Sequence, residues 1–401
     1  MKKLLIVLAF FLFIAGCITE FIPNIKNSNN EYIIIDAKIT DKEGALVKLS
    51  TLQGGKYLNQ PLGIDANVEI SDNTGGKIVL TKTSQGVYSS IINGIPGRSY
   101  TLSVKTADGN EFTSSSEMMD PVIPIDSVYG VFEFRPSVNL KVNSPGVALY
   151  IDINNSTNNN KFFRWTYDET WLQKSPIRWM AYGTWDLKGN LLKISFWPNN
   201  TPNNIKCFHY STSNQILIKS TDQLKPGFLK ENPLYFTDDL SGRFSIGYSV
   251  EIKQYSITPG AFLYFNQLEK SDELTGSLYD PIPSYIPSNI YNTKDASQKV
   301  SGFFVVSSVV KKRIFINPTD IVPGGYMAGS STSTCLDSTA SSYSGAAAIR
   351  RNSHLEIYDF IPASAMTSMA IKMANVTCFD CVSNGGSIQK PSYWDDRYSG
   401  N

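Results

Sequence analysis

The amino-acid sequence predicts an all-β protein with two β modules in a row. Aromatic residues make up 12 % of its 401 residues, including 21 Tyr and 21 Phe, and aromatic side chains favour strands. From residue 31 onward, short runs of alternating apolar and polar residues recur with turn residues between them. This spacing is typical of antiparallel sheets. The hydrophobic fraction of 42 % is ample for the cores of two such modules.

The charge balance argues against one class of partner. The chain has 36 Lys and Arg against 35 Asp and Glu, which gives a formal net charge of +1. It therefore lacks the basic field that attracts nucleic acid. The chain has only two histidines, which limits imidazole-based metal or acid–base chemistry. We expect no nucleic-acid partner, no metal and no cofactor.

The first residues have the pattern of a targeting segment. The basic pair Lys2-Lys3 precedes an apolar run over 4–14. This run is shorter than the roughly 20 residues of a membrane-spanning helix and fits a secretory signal. It ends in Ile14-Ala15-Gly16-Cys17, which is similar to the bacterial lipobox. The similarity implies cleavage before Cys17 and acylation of that cysteine, and acyl chains anchor a protein to a membrane. The other interpretation is a plain secretory peptide with an ordinary thiol at Cys17.

The chain is thereby divided into four predicted parts. The signal peptide covers 1–16. The lipidated cysteine and a polar, Asn-rich tether cover 17–30, and such a tether would hold the body away from the lipid surface. The first β module covers 31–118, and the second covers 119–401.

The first β module is predicted to be a sandwich. Short alternating runs lie at 66–70 and 100–104, and turn residues such as Asp108-Gly109 follow such runs. Regular spacing of short strands and turns favours this architecture. The segment 86–104 also resembles the end of an immunoglobulin-like or carboxypeptidase-regulatory-like β domain, which implies that fold for the module.

The second module is predicted to be a larger antiparallel β domain, either a sandwich or a barrel, with one or two short helices. Strand patterns occur at 147–153, 244–252 and 300–310. Thr258 followed by Pro259 predicts the start of a helix, because Thr caps helices and Pro suits their first turn.

Two further segments of the second module have weaker signals. A second short helix is expected over 363–373. The stretch 330–344 is rich in Ser and Thr and is expected to be an exposed, mobile loop.

Several segments follow one another along the chain, namely 32–41, 47–50, 248–259, 276–284, 300–304, 313–314, 378–381 (Cys-Phe-Asp-Cys) and 390–394 (Lys-Pro-Ser-Tyr-Trp). In this order they resemble the domain-of-unknown-function family 4249, a group of Bacteroidota outer-membrane lipoproteins. The resemblance implies a cell-envelope lipoprotein that is often encoded beside a TonB-dependent outer-membrane transporter. It therefore implies an accessory role in uptake, without a known ligand and without an established enzymatic activity.

Four cysteines remain after Cys17, namely Cys207, Cys335, Cys378 and Cys381. The number is even and the periplasm is oxidising, so we expect two structural disulfides in any of three connectivities. Cys378-Phe379-Asp380-Cys381 also has redox spacing, but a loop-like sequence follows it where such motifs usually open a helix. Zinc would need further ligands, and the two histidines lack the spacing for it.

The most aromatic part of the chain includes five tryptophans between residues 165 and 197. Such residues form either a core or a surface that stacks on ligand rings or grips a partner. Trp165 and Tyr167 share one face of a predicted strand, which favours a core there. We expect the candidate binding surface to lie in the following stretch. Its residues are Trp171, Trp179, Tyr182 and Trp185.

No catalytic motif stands out, so we expect that the protein is not an enzyme. Neither His209 nor His354 accompanies a recognisable nucleophile motif. Ser308 and Lys311 have Ser-x-x-Lys spacing, but residues three apart on a strand point to opposite faces.

The function expected from these observations is that of an outer-membrane lipoprotein facing the periplasm or the cell surface. It would act as an accessory or ligand-binding subunit of a TonB-dependent uptake system. Its expected partners are the membrane through the lipid anchor, a TonB-dependent transporter, and a sugar or peptide ligand. The alternative is a structural or assembly lipoprotein of the outer membrane, and an envelope hydrolase is a third hypothesis.

Overall fold

The computed structural model describes residues 32–52, 60–136, 143–154, 161–198, 205–222, 228–239, 242–273, 286, 288–317, 320, 335–364 and 367–400. The predicted signal peptide, Cys17 and the tether lie outside these residues. Strands dominate the described part of the chain, as the aromatic content and the alternating runs predict.

The strands follow one another along the whole described chain. In chain order they are β1 (Tyr32–Thr40), β2 (Ala45–Leu52), β3 (Gln60–Pro61), β4 (Ala66–Asp72), β5 (Lys77–Val79), β6 (Thr81–Ser84), β7 (Val87–Ser90), β8 (Ser99–Thr106), β9 (Glu111–Ser114), β10 (Glu117–Met118), β11 (Ser127–Pro136), β12 (Asn143–Asn154), β13 (Phe162–Lys174), β14 (Ala181–Trp185), β15 (Leu191–Phe196), β16 (Lys206–Thr212), β17 (Leu217–Ser220), β18 (Phe228–Asp238), β19 (Gly247–Ser256), β20 (Ile290–Asn292), β21 (Val300–Ser301), β22 (Phe304–Ile316), β23 (Asp337–Ala340), β24 (Glu356–Ile361) and β25 (Ala370–Ala374). The helices are α1 (Pro259–Glu273) and α2 (Tyr343–Ser353), and single 3₁₀ turns lie at Val376–Cys378 and Asp396–Tyr398.

The first sandwich encloses a core of alternating strand residues. Strands β1, β2, β7 and β6 form part of a large sheet, and a second sheet has the order β20-β9-β8-β4-β5. Ile35 and Ile39 of β1 and Leu102 of β8 point into the space between them and are fully buried. Successive strand residues point to opposite faces, so this alternation leaves one face of each sheet for the core.

The first sandwich also takes strands from far along the chain. Strand β20 pairs with β9, and β21 pairs with β1. The boundary at residue 118 stays a prediction, but the pairing of strands continues across it.

The second module is a sandwich. Its small sheet has the order β11-β12-β18, and it faces the β16-β13-β19-β22 part of the large sheet. Their shared core contains Leu149 and Ile151 from β12, Trp165 from β13, and Val250 and Ile252 from β19.

Strand β22 belongs to both sandwiches. Residues 304–307 pair in parallel with β1, and residues 308–316 pair antiparallel with β19. The large sheet is therefore continuous from one sandwich to the other.

A smaller unit lies beyond the second sandwich. The hairpin β14-β15 and the sheet β23-β25-β24 are linked by the Met180 amide, which donates to the Tyr358 carbonyl oxygen at 2.7 Å. Helix α2 packs its buried Ala346 and Ala347 in this unit.

Helix α1 begins where the sequence predicts. The Thr258 hydroxyl accepts a hydrogen bond from the Ala261 amide at 3.2 Å, and Pro259 occupies the first turn. Ala261, Phe262 and Phe265 pack on the outer face of the large sheet.

The predicted helix over 363–373 is wrong. Strand β25 begins at Ala370, and Ile371 and Met373 are both fully buried with Lys372 between them. This alternation, together with pairing to both β23 and β24, selects the strand.

The loop expected over 330–344 is also wrong for its described part. Residues 335–344 contain β23 and the start of helix α2, and Ser342 caps that helix by accepting a hydrogen bond from the Gly345 amide at 3.0 Å.

Candidate functional site

Two disulfides tie the C-terminal segment to the rest of the protein. Cys207 of β16 is bonded to Cys381, and Cys335 is bonded to Cys378, with Cα–Cα distances of 5.7 and 6.0 Å. The prediction of two disulfides is confirmed, and the structure selects one of the three connectivities. The two cysteines of the Cys-x-x-Cys motif have different partners, so they do not form a redox pair with each other.

The disulfides place one short turn against two separate elements. Cys378 ends a 3₁₀ turn, and Cys381 follows it by three residues. The Cys378 carbonyl oxygen also accepts a hydrogen bond from the Ile177 amide at 3.0 Å. The turn is thereby fixed beside β16 and beside the segment that leads from β13 to β14.

That segment and the turn together build an aromatic cluster, which we define as Trp179, Tyr182, Trp197 and Phe379. The rings of Trp179 and Tyr182 lie 4.9 and 4.6 Å from that of Trp197. Trp179 also lies 5.1 Å from Phe379. Phe379 is fully buried, whereas the other three are half-buried. The cluster thus has a buried end and an accessible end.

Backbone hydrogen bonds hold the cluster in place. The Trp197 amide donates to the Met180 carbonyl oxygen at 3.1 Å, and Trp179 Nε1 donates to the Ala181 carbonyl oxygen at 2.9 Å. Trp197 Nε1 is buried and has no hydrogen-bond partner among the described residues. These hydrogen bonds fix the orientation of the cluster and do not involve the exposed edges of its rings.

The structure brings together only two of the four residues expected at a binding surface. Trp179 and Tyr182 belong to the aromatic cluster. Trp185 is half-buried in the small unit, where the Arg350 guanidinium covers its ring at 4.6 Å. Trp171 is 8 % exposed and lies in the second core, where its ring is 4.7 Å from the Arg243 guanidinium and 5.5 Å from the His209 ring.

Behind Trp171 lies a buried charged network that sequence reasoning missed. Arg243 Nη1 lies 2.7 Å from Glu169 Oε2, and the Tyr248 hydroxyl donates to Glu169 Oε1 at 2.5 Å. The Tyr235 and Tyr248 hydroxyls are 2.8 Å apart. Burial raises the pKa of both tyrosines well above its ordinary value. Both phenols therefore stay protonated, and the network serves the fold of the sandwich interior.

The histidines lie in different settings. His209 lies in β16 and is 8 % exposed, and burial lowers its pKa. His354 caps helix α2 with a left-handed backbone at φ 54° and is exposed. Among the residues that the structure describes, no group of three or more His, Cys, Asp or Glu side chains is arranged to hold a metal ion.

The Ser-x-x-Lys spacing has no catalytic geometry. Ser308 is fully buried, and Lys311 forms an ion pair with Glu43 at 2.7 Å. In the described part of the chain, no helix is both long enough and apolar enough to cross a membrane.

Comparisons with known proteins add one firm relationship. No curated protein matches the chain. A solved structure described as "Complete structure of manganese lipoxygenase of Gaeumannomyces graminis and partial structure of zonadhesin of Komagataella pastoris" is 9 % identical, with 58 % of this chain and 90 % of that chain covered. Its TM-score is 0.12, so it carries no argument about fold or function.

The family comparison covers most of the sequence. The family "Domain of unknown function (DUF4249)" matches residues 18–313. The match spans both β sandwiches, from the predicted tether into β22, and more than half of the chain. The chain belongs to the DUF4249 family.

Proposed function

We propose that the protein is an outer-membrane lipoprotein, anchored through Cys17, that serves as an accessory or ligand-binding subunit of a TonB-dependent uptake system. The observation that carries the proposal is Ile14-Ala15-Gly16-Cys17 at the end of a short apolar run. The four residues have the form of a lipidation signal, and the apolar run before them is too short to span a bilayer.

The disulfides support a location outside the cytoplasm. Cys207–Cys381 and Cys335–Cys378 use all four cysteines after Cys17. Disulfides form and persist in oxidising compartments such as the periplasm, and they are rare in the cytosol. The family resemblance to envelope lipoproteins agrees with this compartment.

The aromatic cluster is the contact surface that we propose for the transporter or for its sugar or peptide substrate. Trp and Tyr are favoured at such surfaces because their rings bury much apolar area while their polar ends keep hydrogen bonds. Trp179, Tyr182 and Trp197 are half-buried, so their accessible edges are available to a partner.

Labelling with a palmitate analogue tests the anchor. Wild-type protein should take up the label and sediment with membranes, and Cys17→Ser should do neither. Thr19→Ala is the matched control, because it changes a neighbouring polar residue and keeps Cys17. Unlabelled wild-type protein that stays in solution after fractionation would contradict the proposal.

Purification from native membranes in gentle detergent tests the partner. We expect the protein to be recovered with a large outer-membrane transporter, and we expect the pair Trp179→Ala and Trp197→Ala to reduce that recovery. Trp185→Ala is the control, because Trp185 is a half-buried tryptophan outside the cluster. Recovery as a lone monomer contradicts the uptake role. Broad envelope defects on deletion, without loss of one nutrient, would instead favour the assembly role.

A further inference from the structure

We propose that a cleft beside the two disulfides binds a small oxyanion, namely the carboxylate or phosphate group of a soluble molecule. The cleft has a volume of about 130 Å³. It lies where the end of β13 meets β16 and the disulfide-bonded turn. None of its lining residues belongs to the aromatic cluster, so the two features are separate.

The described lining of the cleft offers hydrogen-bond donors and a positive charge, and it contains no carboxylate. Among the described residues, the polar side chains that line it are Gln173, Lys174, Ser175, His209, Thr377 and Asn384. Amide, hydroxyl and ammonium groups all donate to anionic oxygen, and an ammonium donor strengthens the bond. Protein sites for hard cations typically include carboxylate ligands, and the described lining has none.

Two of these polar side chains are themselves buried. Ser175 is 7 % exposed and His209 is 8 % exposed. Ser175 Oγ and His209 Nε2 are buried and have no hydrogen-bond partner among the described residues. Buried polar groups in proteins are nearly always paired. Two unpaired atoms on residues that line one cleft therefore indicate a partner that enters from outside the chain.

The protonation of His209 suits such a partner. Burial lowers its pKa from 6.5, so the imidazole is neutral at pH 7 and has one N–H donor and one acceptor nitrogen. A neutral ring with its proton on Nε2 donates to an oxyanion, whereas the other tautomer does not. Binding should therefore select the Nε2–H tautomer.

The charged side chain in the described lining of the cleft favours an anion. Lys174 of β13 is exposed and lines the cleft. The nearest acidic residue of the turn, Asp380, already accepts hydrogen bonds from the Val382 amide and the Ser383 hydroxyl.

The walls of the cleft are held rigidly. Both disulfides contribute a lining cysteine from the turn, Cys378 and Cys381. A Cβ atom at Gly386 would lie 3.0 Å from His209 Nε2 and 2.5 Å from Cys207 Cβ. Only glycine allows the chain to pass this close. A site with fixed walls loses little entropy when it binds a small ligand.

The test is a titration of the full chain that carries ¹⁵N-labelled histidine. The protein has two histidines, and His354→Ala assigns their signals. Sodium phosphate and sodium acetate are added separately at constant ionic strength. We expect at least one anion to move the His209 signals saturably toward the Nε2–H form and to leave the His354 signals in place. A response to phosphate alone, to acetate alone or to both identifies the group that the cleft accepts.

Variants separate a built site from weak surface binding. Lys174→Ala and Ser175→Ala should each weaken the affinity by about tenfold, the effect of one hydrogen bond to a charged group. Lys188→Ala is the control, because it removes an exposed lysine that does not line the cleft. If neither anion moves the His209 signals to saturation at tens of millimolar, or if Lys174→Ala and Lys188→Ala behave alike, the inference is wrong.

This inference goes beyond the proposed uptake role and does not need it. The titration uses the purified chain without membranes or a transporter. If palmitate labelling fails, the proposed lipid anchor is wrong and the proposed anion site is unaffected. If the His209 signals do not respond to either anion, the anion site is wrong and the lipid anchor is unaffected.

Discussion

Lys311 Nζ lies 2.7 Å from Glu43 Oε1, so an ion pair joins the β1–β2 turn to the strand that the two sandwiches share. Lys38 and Lys253 lie 3.4 and 3.9 Å from the same carboxylate. The Tyr255 hydroxyl donates to it at 3.2 Å. One carboxylate thus holds three lysines from three strands at the junction between the sandwiches.

The junction should weaken in acid. Burial of the Glu43 carboxyl opposes its ionisation, but the hydrogen bond from Lys311 and the charges of Lys38, Lys311 and Lys253 outweigh burial and lower its pKa from 4.5 to about 2. A carboxyl whose pKa is lowered by folding stabilises the protein fully above the unfolded value. We therefore expect stability to fall as the pH decreases from about 4.5 toward 2.

Urea unfolding at several pH values checks this effect. Glu43→Gln should lower the free energy of unfolding at pH 7 by about 1–2 kcal/mol and should flatten its dependence on pH below 4.5. Glu69→Gln is the control, because Glu69 pairs with exposed Lys77 at 3.0 Å. Equal pH profiles for wild type and Glu43→Gln would contradict the prediction.

Glu169→Gln should destabilise the second sandwich by about 2–4 kcal/mol. The substitution removes the carboxylate charge 2.7 Å from the half-buried Arg243 guanidinium, and breaking a buried ion pair on one side is strongly unfavourable. Chemical denaturation measures the change. The double variant Glu169→Gln, Arg243→Met should regain part of the loss, and a double variant that is weaker than both single variants would refute this account.

Gly302→Ala should be far more damaging than Gly97→Ala. Both glycines have positive φ angles, +96° and +88°. A Cβ at Gly302 would lie 2.2 Å from the Ile35 carbonyl oxygen, whereas a Cβ at Gly97 has no atom within 4 Å. We expect Gly97→Ala to lower the free energy of unfolding by about 1–2 kcal/mol through backbone strain alone. We expect Gly302→Ala to lower it by about 3–5 kcal/mol.

Thermal unfolding of the two glycine variants separates strain from crowding. The difference in melting temperature between the two variants reports the cost of crowding where β1 approaches the segment that leads into β22. Similar melting temperatures for the two variants would show that β1 moves aside at little cost.

Removal of the Cys207–Cys381 disulfide should lower stability by about 2–4 kcal/mol. The double variant Cys207→Ala, Cys381→Ala lacks this disulfide and leaves no free thiol in its place. Its unfolding midpoint should fall, and a reducing agent should lower the wild-type midpoint at least as far because it also opens Cys335–Cys378. An unchanged midpoint in the double variant would show that the turn is held without this bond.

Local features of the fold were predictable because they depend on neighbouring residues. The alternation of Val68 and Ile70 with polar residues in β4 has period two and marks a strand with one buried face. Thr258 and Pro259 mark the start of helix α1 because both act within one turn.

Features that join distant segments were not predictable. The apolar run over 300–310 predicts a buried strand, but no local pattern indicates that β22 pairs with β1 at one end and β19 at the other. The three cysteine connectivities are equivalent in sequence for the same reason. Helix α2 was missed because it buries only Ala346 and Ala347, and two small residues make no apolar stripe.

The candidate site was predictable only in part. A tryptophan-rich stretch indicates burial or binding, but each ring's exposure depends on its partners. Trp171 lies on β13 and is covered by Arg243 and His209 from other segments, whereas Trp179 and Tyr182 meet Trp197 across the β14–β15 hairpin.

A strand that is woven into two sandwiches removes the hinge on which two-domain proteins ordinarily bend. Residues 304–307 and 308–316 follow one another without a linker, so a push on one sandwich is transmitted to the other through continuous backbone. We therefore expect the two sandwiches to turn together as one rigid body.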